Sequence, residues 1–346
     1  MIDNKIVRNS NIELLRIISI FVIVLSHVVG GGESLSGINE YLVIFQNSSV
    51  HAGVGVTCFI FISGYYGIRF SRKRLNKICS IIWMCSICSL FILFMSGNAS
   101  LTECFKSIFP IITRKYWYAS CYVFLLILSP WINEFTDNLE KDNFQKLLLA
   151  CITLFYVLPT FFYFEIMNDK GKGFVHMVVC YMVGRYIAKY IDISNIKIKI
   201  LWRDLLGIIA ISFGGNIIAT LVRGEISWPF SRECSITTLL IGILLCMIAL
   251  HGTSESKKIN AIAVYTFHVY LLNNALIIFI SQYFCANENS MLYMFEQLLI
   301  AGAICCICVL IAIPLNMIAG LVAKVTNRIE NICLKDMNLL VKNKYL

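Results

Sequence analysis

Charged side chains are scarce in this sequence. Asp, Glu, Lys and Arg make up 14% of its 346 residues, whereas apolar residues make up 58%. Soluble globular chains carry about 25% charged and about 45–50% apolar residues. An ordinary soluble enzyme, a secreted disulfide scaffold and a disordered chain are therefore excluded, because no soluble core of this size could bury so much Ile, Leu and Phe. The composition indicates an integral membrane protein.

The chain also lacks the features that divide a protein into several parts. We find no long linker, no low-complexity stretch and no internal repeat of about 20–50 residues. No basic segment is interleaved with aromatics outside an apolar run, so nucleic acid is not an expected partner. We therefore predict one membrane domain over residues 1–323, followed by a basic cytoplasmic tail over residues 324–346.

Cysteine, in contrast, is abundant, with 15 residues, most of them in apolar runs. A buried free thiol behaves as a small apolar side chain. Cys85 and Cys88 have the spacing of a redox or metal pair, but no second pair accompanies them, so we interpret them as core residues. The histidines show no metal-ligand spacing, and no metal is expected. Cys104 and Cys285 lie in predicted outer loops, where they could be oxidised to a disulfide.

Ten apolar runs are long enough to cross a bilayer, which takes about 20 helical residues. They are 12–29, 50–68, 78–96, 117–134, 147–164, 174–190, 204–222, 234–250, 261–280 and 291–323. With the N-terminus inside, 21 of the 29 Lys and Arg residues fall in cytoplasmic segments and 7 in outer loops. Because Lys and Arg accumulate on the cytoplasmic side, we predict an all-α integral membrane protein of about ten transmembrane helices with both termini in the cytoplasm.

The first span carries two ionisable side chains where lipid-facing residues are expected. Arg16 and His27 are eleven residues apart, which places them on one helical face about 16 Å apart along the axis. Glu13 is three residues before Arg16 and could pair with it. Ionisable groups within a span are costly and usually face the bundle interior. The alternatives are that Arg16 extends to the cytoplasmic interface and that His27 is an interfacial residue at the outer helix end.

The second span ends in a basic cluster that contains Arg69 and Arg72. Interpreted as one helix, the pair lies on one face and could grip phosphate with its forked guanidinium donors. A cluster that only stops membrane insertion is the alternative. Ser63 and Gly64, just before it, would let a neighbouring helix or a ligand come close.

Two further spans carry polar or aromatic groups. Trp117, Tyr118 and Tyr122 open the fourth span, either as an interfacial belt or as a surface on which sugar rings stack. The ninth span contains His268 and Asn273, and a histidine at that depth is unusual.

These residues together resemble the acyltransferase type 3 family of integral membrane acyltransferases. Arg16, ten intervening residues and His27, within Asn-Ile-Glu-Leu-Leu-Arg-Ile-Ile-Ser and the span that follows, are similar to its first-span signature. Three more motifs follow in the family's order: Phe-Ile-Ser-Gly-Tyr-Tyr at 61–66, Arg69-x-x-Arg72, and the aromatic fourth span over 116–130. The likeness covers most of the chain and is most specific in the first 135 residues.

The resemblance implies an O-acyltransferase, usually an O-acetyltransferase. Its donor would be cytoplasmic acetyl-CoA, with no permanently bound cofactor, and its acceptor a hydroxyl of an exported or lipid-linked surface glycan. The setting would be the cytoplasmic membrane of a bacterial cell. The expected site residues are His27 as general base with Arg16 for catalysis, Arg69, Arg72, Ser63 and Gly64 for the donor, and Trp117, Tyr118 and Tyr122 for the glycan.

One position departs from the family pattern. His268 stands where relatives often have Gly, and Asn273 stands at the place of their histidine. A five-residue shift changes the helical face, so His268 is not an obvious substitute. A polytopic transporter or a glycan flippase without acyl transfer is the alternative function, although the two halves show no clear match and only Gly214–Gly215 suggests a broken helix.

Overall fold

The computed structural model describes residues 8–30, 37–284 and 290–343, with side chains described to residue 332. Within these ranges the chain is helical, with no β-strand. Its α-helices are α1 (Ser10–Val29), α2 (Ile38–Ser49), α3 (Ala52–Tyr66), α4 (Arg72–Met95), α5 (Leu101–Ile108), α6 (Trp117–Asn138), α7 (Lys141–Ile152), α8 (Leu158–Phe162), α9 (Phe174–Tyr190), α10 (Ile198–Arg223), α11 (Ile236–Leu250), α12 (Lys257–Ala263), α13 (Thr266–Ile280) and α14 (Tyr293–Asn343). A π-helical turn, Thr153–Val157, joins α7 to α8.

Six helical segments in the described ranges are long and apolar enough to cross a membrane. They are α1, α2 with α3, α4, α7 with α8, α10, and α14 over Tyr293–Ile332. The pair α12 and α13, bent by 51°, makes a seventh if it is counted as one span. An integral membrane protein is therefore confirmed, whereas the predicted ten spans are not.

The three remaining predicted spans coincide with α6, α9 and α11. α9 has 17 residues and α11 has 15, so at 1.5 Å per residue each is shorter than a hydrocarbon core of about 30 Å. α6 is 22 residues long, but its C-terminal end is polar and includes Asn133, Glu134 and Asp137. The sequence pattern thus predicted correctly which segments are apolar helices, but it did not predict where each helix begins and ends. The side on which the termini lie stays a prediction.

Helix α14 is one continuous helix of 51 residues that contains Pro314. At 1.5 Å per residue it is about 76 Å long, more than twice the thickness of the hydrocarbon core. The predicted basic tail from residue 324 therefore continues this helix through Asn343.

Helix α3 is the central packing element, in contact with α1, α9 and α11. Its closest approach is to α9, where a Cβ on Gly64 would lie 2.2 Å from the Tyr181 carbonyl oxygen. Gly184 makes the reciprocal approach, since a Cβ there would lie 2.5 Å from the Phe61 carbonyl oxygen. Small residues let helix backbones pack closely in a membrane bundle. This contact fixes α3, and with it one wall of the site described below.

The cysteines with described side chains are free, and several fill the core. Cys58, Cys180 and Cys246 lie fully buried between α3, α9 and α11, and their thiols contact backbone carbonyls at 3.6–3.8 Å. Cys85 is fully buried on α4, as expected of a core residue. The disulfide considered for Cys104 is not described, because Cys285 lies outside the described residues.

Candidate functional site

A cavity of about 480 Å³ lies between α1, α3, α4, α6 and α13. It is basic at one end and apolar and aromatic further in. Its lining residues are Arg8, Arg16, Ile20, Ile23, Val56, Phe59, Ile62, Ser63, Tyr66, Gly67, Ile68, Arg74, Ile78, Tyr118, Tyr122, Thr266, Phe267 and Tyr270. Of the nine predicted site residues, this cavity brings together Arg16, Ser63, Tyr118 and Tyr122.

Three arginines line the cavity: Arg8, Arg16 and Arg74. The buried carboxylate of Glu13 holds two of them, with Oε2 3.2 Å from Nη1 of Arg16 and Oε1 3.4 Å from Nε of Arg8. The Arg16 guanidinium also lies 5.7 Å from the centre of the Phe59 ring, a favourable cation–π arrangement. The predicted Glu13–Arg16 pair is therefore present, and Arg16 faces the cavity rather than lipid.

Arg69 and Arg72 do not form the single helical face that their spacing suggested. Gly67, with φ of 71°, ends α3, and the Ser71 side chain caps α4, so Arg69 lies in the linking segment and Arg72 begins the next helix. Both are exposed and neither lines the cavity. Arg74 lines it instead, and its Nη1 donates to the Arg69 carbonyl oxygen at 3.0 Å.

Ser63 and Gly64 point in different directions from α3. Ser63 lines the cavity, and its hydroxyl donates to the Phe59 carbonyl oxygen at 2.9 Å. Gly64 faces the backbone of Tyr181 on α9. Of the two partners considered for this glycine, the structure places the neighbouring helix there.

The predicted glycan-binding aromatics divide between two cavities. Tyr118 and Tyr122 stack with ring centres 6.0 Å apart and line the basic cavity, where Tyr270 packs edge-on to Tyr118 at 5.4 Å. Trp117 faces a separate small cavity of about 20 Å³ that it shares with Tyr156. The resemblance implied that all three aromatics bind the glycan, whereas the fold places two of them, the tyrosines, in the cavity that the arginines line.

His27 lies just beyond the inner end of the basic cavity. Arg16, Ile20 and Ile23 line the cavity from one face of α1, and His27 continues that face one turn, or about 6 Å, past Ile23. The helices come close at this level, since a Cβ on Gly55 of α3 would lie 2.8 Å from Cγ1 of Ile23. The cavity lining therefore ends where α1 and α3 meet, with the histidine on the far side of Ile23.

The partner of His27 is Asn273 on α13. Nδ1 of the ring and Oδ1 of the amide are 2.9 Å apart. Asn273 also extends the cavity-lining face of its helix, which carries Thr266 and Tyr270. α1 and α13 thus each line the cavity along one helical face. Further along that face, α1 carries His27 and α13 carries Asn273.

His268 takes no part in this arrangement. It is buried, it does not line the cavity, and neither ring nitrogen has a hydrogen-bond partner among the described residues. The five-residue step from His268 to Asn273 thus separates two faces of α13, as the helical period indicated.

Arg8, Arg74 and Tyr270 are site residues that the sequence reasoning missed. Arg8 precedes Asn9, the N-cap of α1, so helical periodicity could not place its side chain at the cavity. Arg74 could not be separated from its basic neighbours without knowing where α4 begins. Tyr270 became a site residue only through the packing of α13 against α6.

Comparison with known proteins places this site in context. No curated protein and no solved structure matches the chain. A family model described as an acyltransferase domain matches residues 9–317, which include α1 to α13 and the first half of α14. The match covers every cavity-lining residue except Arg8, together with the His27–Asn273 pair, and it agrees with the motifs found along the sequence. The chain belongs to the acyltransferase type 3 family and is a membrane acyltransferase.

Proposed function

We propose that the protein transfers an acetyl group from cytoplasmic acetyl-CoA to a hydroxyl of an exported or lipid-linked glycan, in the cytoplasmic membrane of a bacterial cell. The observation that carries the proposal is a cavity with arginines at one end and a histidine–asparagine pair just beyond the other. A coenzyme A thioester has the matching polarity, with phosphates at one end and a small acyl group at the other.

The arginine end suits the donor phosphates. Guanidinium offers forked donors that match phosphate oxygens, and bonds between charged partners are stronger than neutral ones. Arg8 and Arg74 line the mouth with exposed side chains, and Arg16 lies further in, paired with Glu13. Arg69 and Arg72 stand just outside, so in this proposal they attract the donor through their charge rather than line its site.

The inner end suits the acyl group. Ile20, Ile23 and Val56 are apolar lining residues, and Phe59 and Tyr118 add aromatic rings whose centres are 6.5 Å apart. The proposed pose places the thioester against Ile23 and Tyr270, the last lining residues before His27 and Asn273 on their helices. In this pose the acyl carbonyl lies about one helical turn from the histidine.

The transfer step uses His27 as general base. Imidazole is suited to this role because its unperturbed pKa of about 6.5 lies near the working pH. The acceptor hydroxyl oxygen attacks the thioester carbonyl carbon while its proton passes to His27. The carbon–sulfur bond then breaks, and the proton moves from the imidazolium to the departing thiolate, which leaves free coenzyme A and an O-acetyl ester.

The acceptor is proposed to approach from the side opposite the arginines. His27 lies in the outer half of α1 if the N-terminus is cytoplasmic, as the Lys and Arg distribution predicts. The small cavity beside Trp117 and Tyr156 shares Val56 with the basic cavity, so both spaces border the same side chain. Trp117 is the aromatic that this proposal assigns to the glycan.

The experiment is transfer of labelled acetyl from acetyl-CoA by the purified protein in lipid nanodiscs, with surface glycan from the producing cell as acceptor. His27→Ala should abolish transfer. The matched control is His251→Ala, which removes a histidine that bonds only the Ile196 carbonyl oxygen among the described residues, and it should leave transfer intact. Undiminished transfer by His27→Ala would remove the proposed base, and transport of glycan without acetyl transfer by the wild type would establish the alternative function.

A further inference from the structure

We infer that Asn273 is a positioning residue that fixes the proton of neutral His27 on Nδ1 and directs Nε2 at the reacting hydroxyl. The inference rests on the proposed function, in which His27 is the base. It adds to the site a residue on α13, which lies outside the first-span motif that contains Arg16 and His27.

The orientation of the Asn273 amide is determined within α13. Asn273 is 1% exposed, so its polar atoms need partners inside the protein. Its Nδ2 donates to the carbonyl oxygens of Val269 at 3.1 Å and Tyr270 at 2.7 Å. Both amide protons are therefore used within the helix, and Oδ1 is left to face α1.

An amide oxygen can only accept a hydrogen bond. Since Oδ1 of Asn273 lies 2.9 Å from Nδ1 of His27, the histidine must donate from Nδ1. In neutral imidazole the other nitrogen then carries the lone pair. Nε2 is thus the basic atom. It has no hydrogen-bond partner among the described residues, and the side chain that carries it is exposed.

The charge environment of the ring is simple. In the part of the chain that the structure describes, no carboxylate lies within ion-pair distance of His27. The ion pair nearest along α1 joins Glu13 and Arg16, about three turns away. A neutral amide orients the imidazole without stabilising the imidazolium as a full negative charge would. Asn273 therefore holds the base in a reactive tautomer and leaves it free to return the proton to the departing thiolate.

The test compares Asn273→Ala, Asn273→Asp and Asn274→Ala in the labelled transfer assay, at saturating and limiting acetyl-CoA and across pH 5–9 (about the range in which imidazole titrates). Asn274 is the neighbouring asparagine and is exposed, so Asn274→Ala should behave as wild type. Asn273→Ala should lower kcat about 10–100-fold, the size of loss seen when a partner that orients a metal-ligating histidine is removed, with little change in the KM for acetyl-CoA.

Asn273→Asp supplies the readout that a purely structural role would not move. A carboxylate still accepts from Nδ1, but it stabilises the imidazolium, so the acidic limb of the rate profile should move to higher pH by about one unit or more. An unchanged kcat in Asn273→Ala, or an unmoved acidic limb in an active Asn273→Asp, would overturn the inference. A wild type that transfers nothing, or an active His27→Ala, would overturn the proposed function instead.

Discussion

Glu13 and Arg16 form an ion pair at the cavity, with Oε2 and Nη1 3.2 Å apart, and the carboxylate is almost fully buried. The same side chain reaches Arg8 through its other oxygen. A single carboxylate therefore keeps two guanidinium groups close to each other and directed at the cavity, where like charges would otherwise repel.

Replacement of this carboxylate should destabilise the protein and weaken donor use. Glu13→Ala leaves Arg16 without its charged partner, which we expect to cost about 1–3 kcal/mol, because Arg16 is only partly exposed. Thermal unfolding in nanodiscs and kcat/KM for acetyl-CoA are the measurements. Glu255→Ala, which removes an exposed carboxylate, is the control. A melting temperature equal to that of the control would show that the pair contributes nothing.

The division of the basic cluster predicts unequal roles for its arginines. Arg74→Ala should raise the KM for acetyl-CoA about 10–100-fold, since a charged hydrogen bond contributes about 1.5–3 kcal/mol. Arg72→Ala, two residues earlier and outside the cavity lining, should raise it much less, and its effect should fade at high salt. Initial rates over a range of donor concentrations decide the order. A larger effect at Arg72 would restore the interpretation based on the Arg-x-x-Arg motif.

The close contact of α3 with α9 predicts a packing defect rather than a binding defect at Gly64. A Cβ there would meet the Tyr181 carbonyl oxygen at 2.2 Å, and overpacking typically costs about 1–3 kcal/mol. Gly64→Ala should therefore lower the melting temperature. Gly214→Ala, where a Cβ meets nothing within 4 Å, is the control and should be neutral. If Gly64→Ala kept its stability but lost affinity for acetyl-CoA, the glycine would be a donor-site residue after all.

The apolar lining at the inner end predicts selectivity for short acyl groups. Val56 lines both the basic cavity and the small cavity beside Trp117, so Val56→Ala should enlarge the space for the acyl chain. We expect the rate with butyryl-CoA to rise relative to acetyl-CoA, and Val56→Phe to change the ratio in the opposite direction. Competition between the two donors in one reaction measures the ratio directly. Equal ratios in all three proteins would place the acyl group elsewhere.

Much of the site could be predicted from local periodicity. The eleven-residue step from Arg16 to His27 defines a helical face, and that face does line the cavity and lead to the histidine. The same reasoning failed at Arg69 and Arg72, because it assumed an uninterrupted helix. Gly67 with its positive φ and the Ser71 cap interrupt it, and such a break rearranges every side-chain direction that follows.

The sequence by itself determined that the chain belongs in a membrane, because its scarcity of charge leaves no soluble alternative. It also determined the face shared by Arg16 and His27, since a helix converts spacing into direction. The tertiary structure alone decided that Asn273, 246 residues from His27, holds its ring, and that Arg74 rather than Arg72 faces the cavity. Lateral neighbours in a bundle depend on which helices pack together, and packing depends on close contacts such as Gly64 with Tyr181 that no local pattern contains.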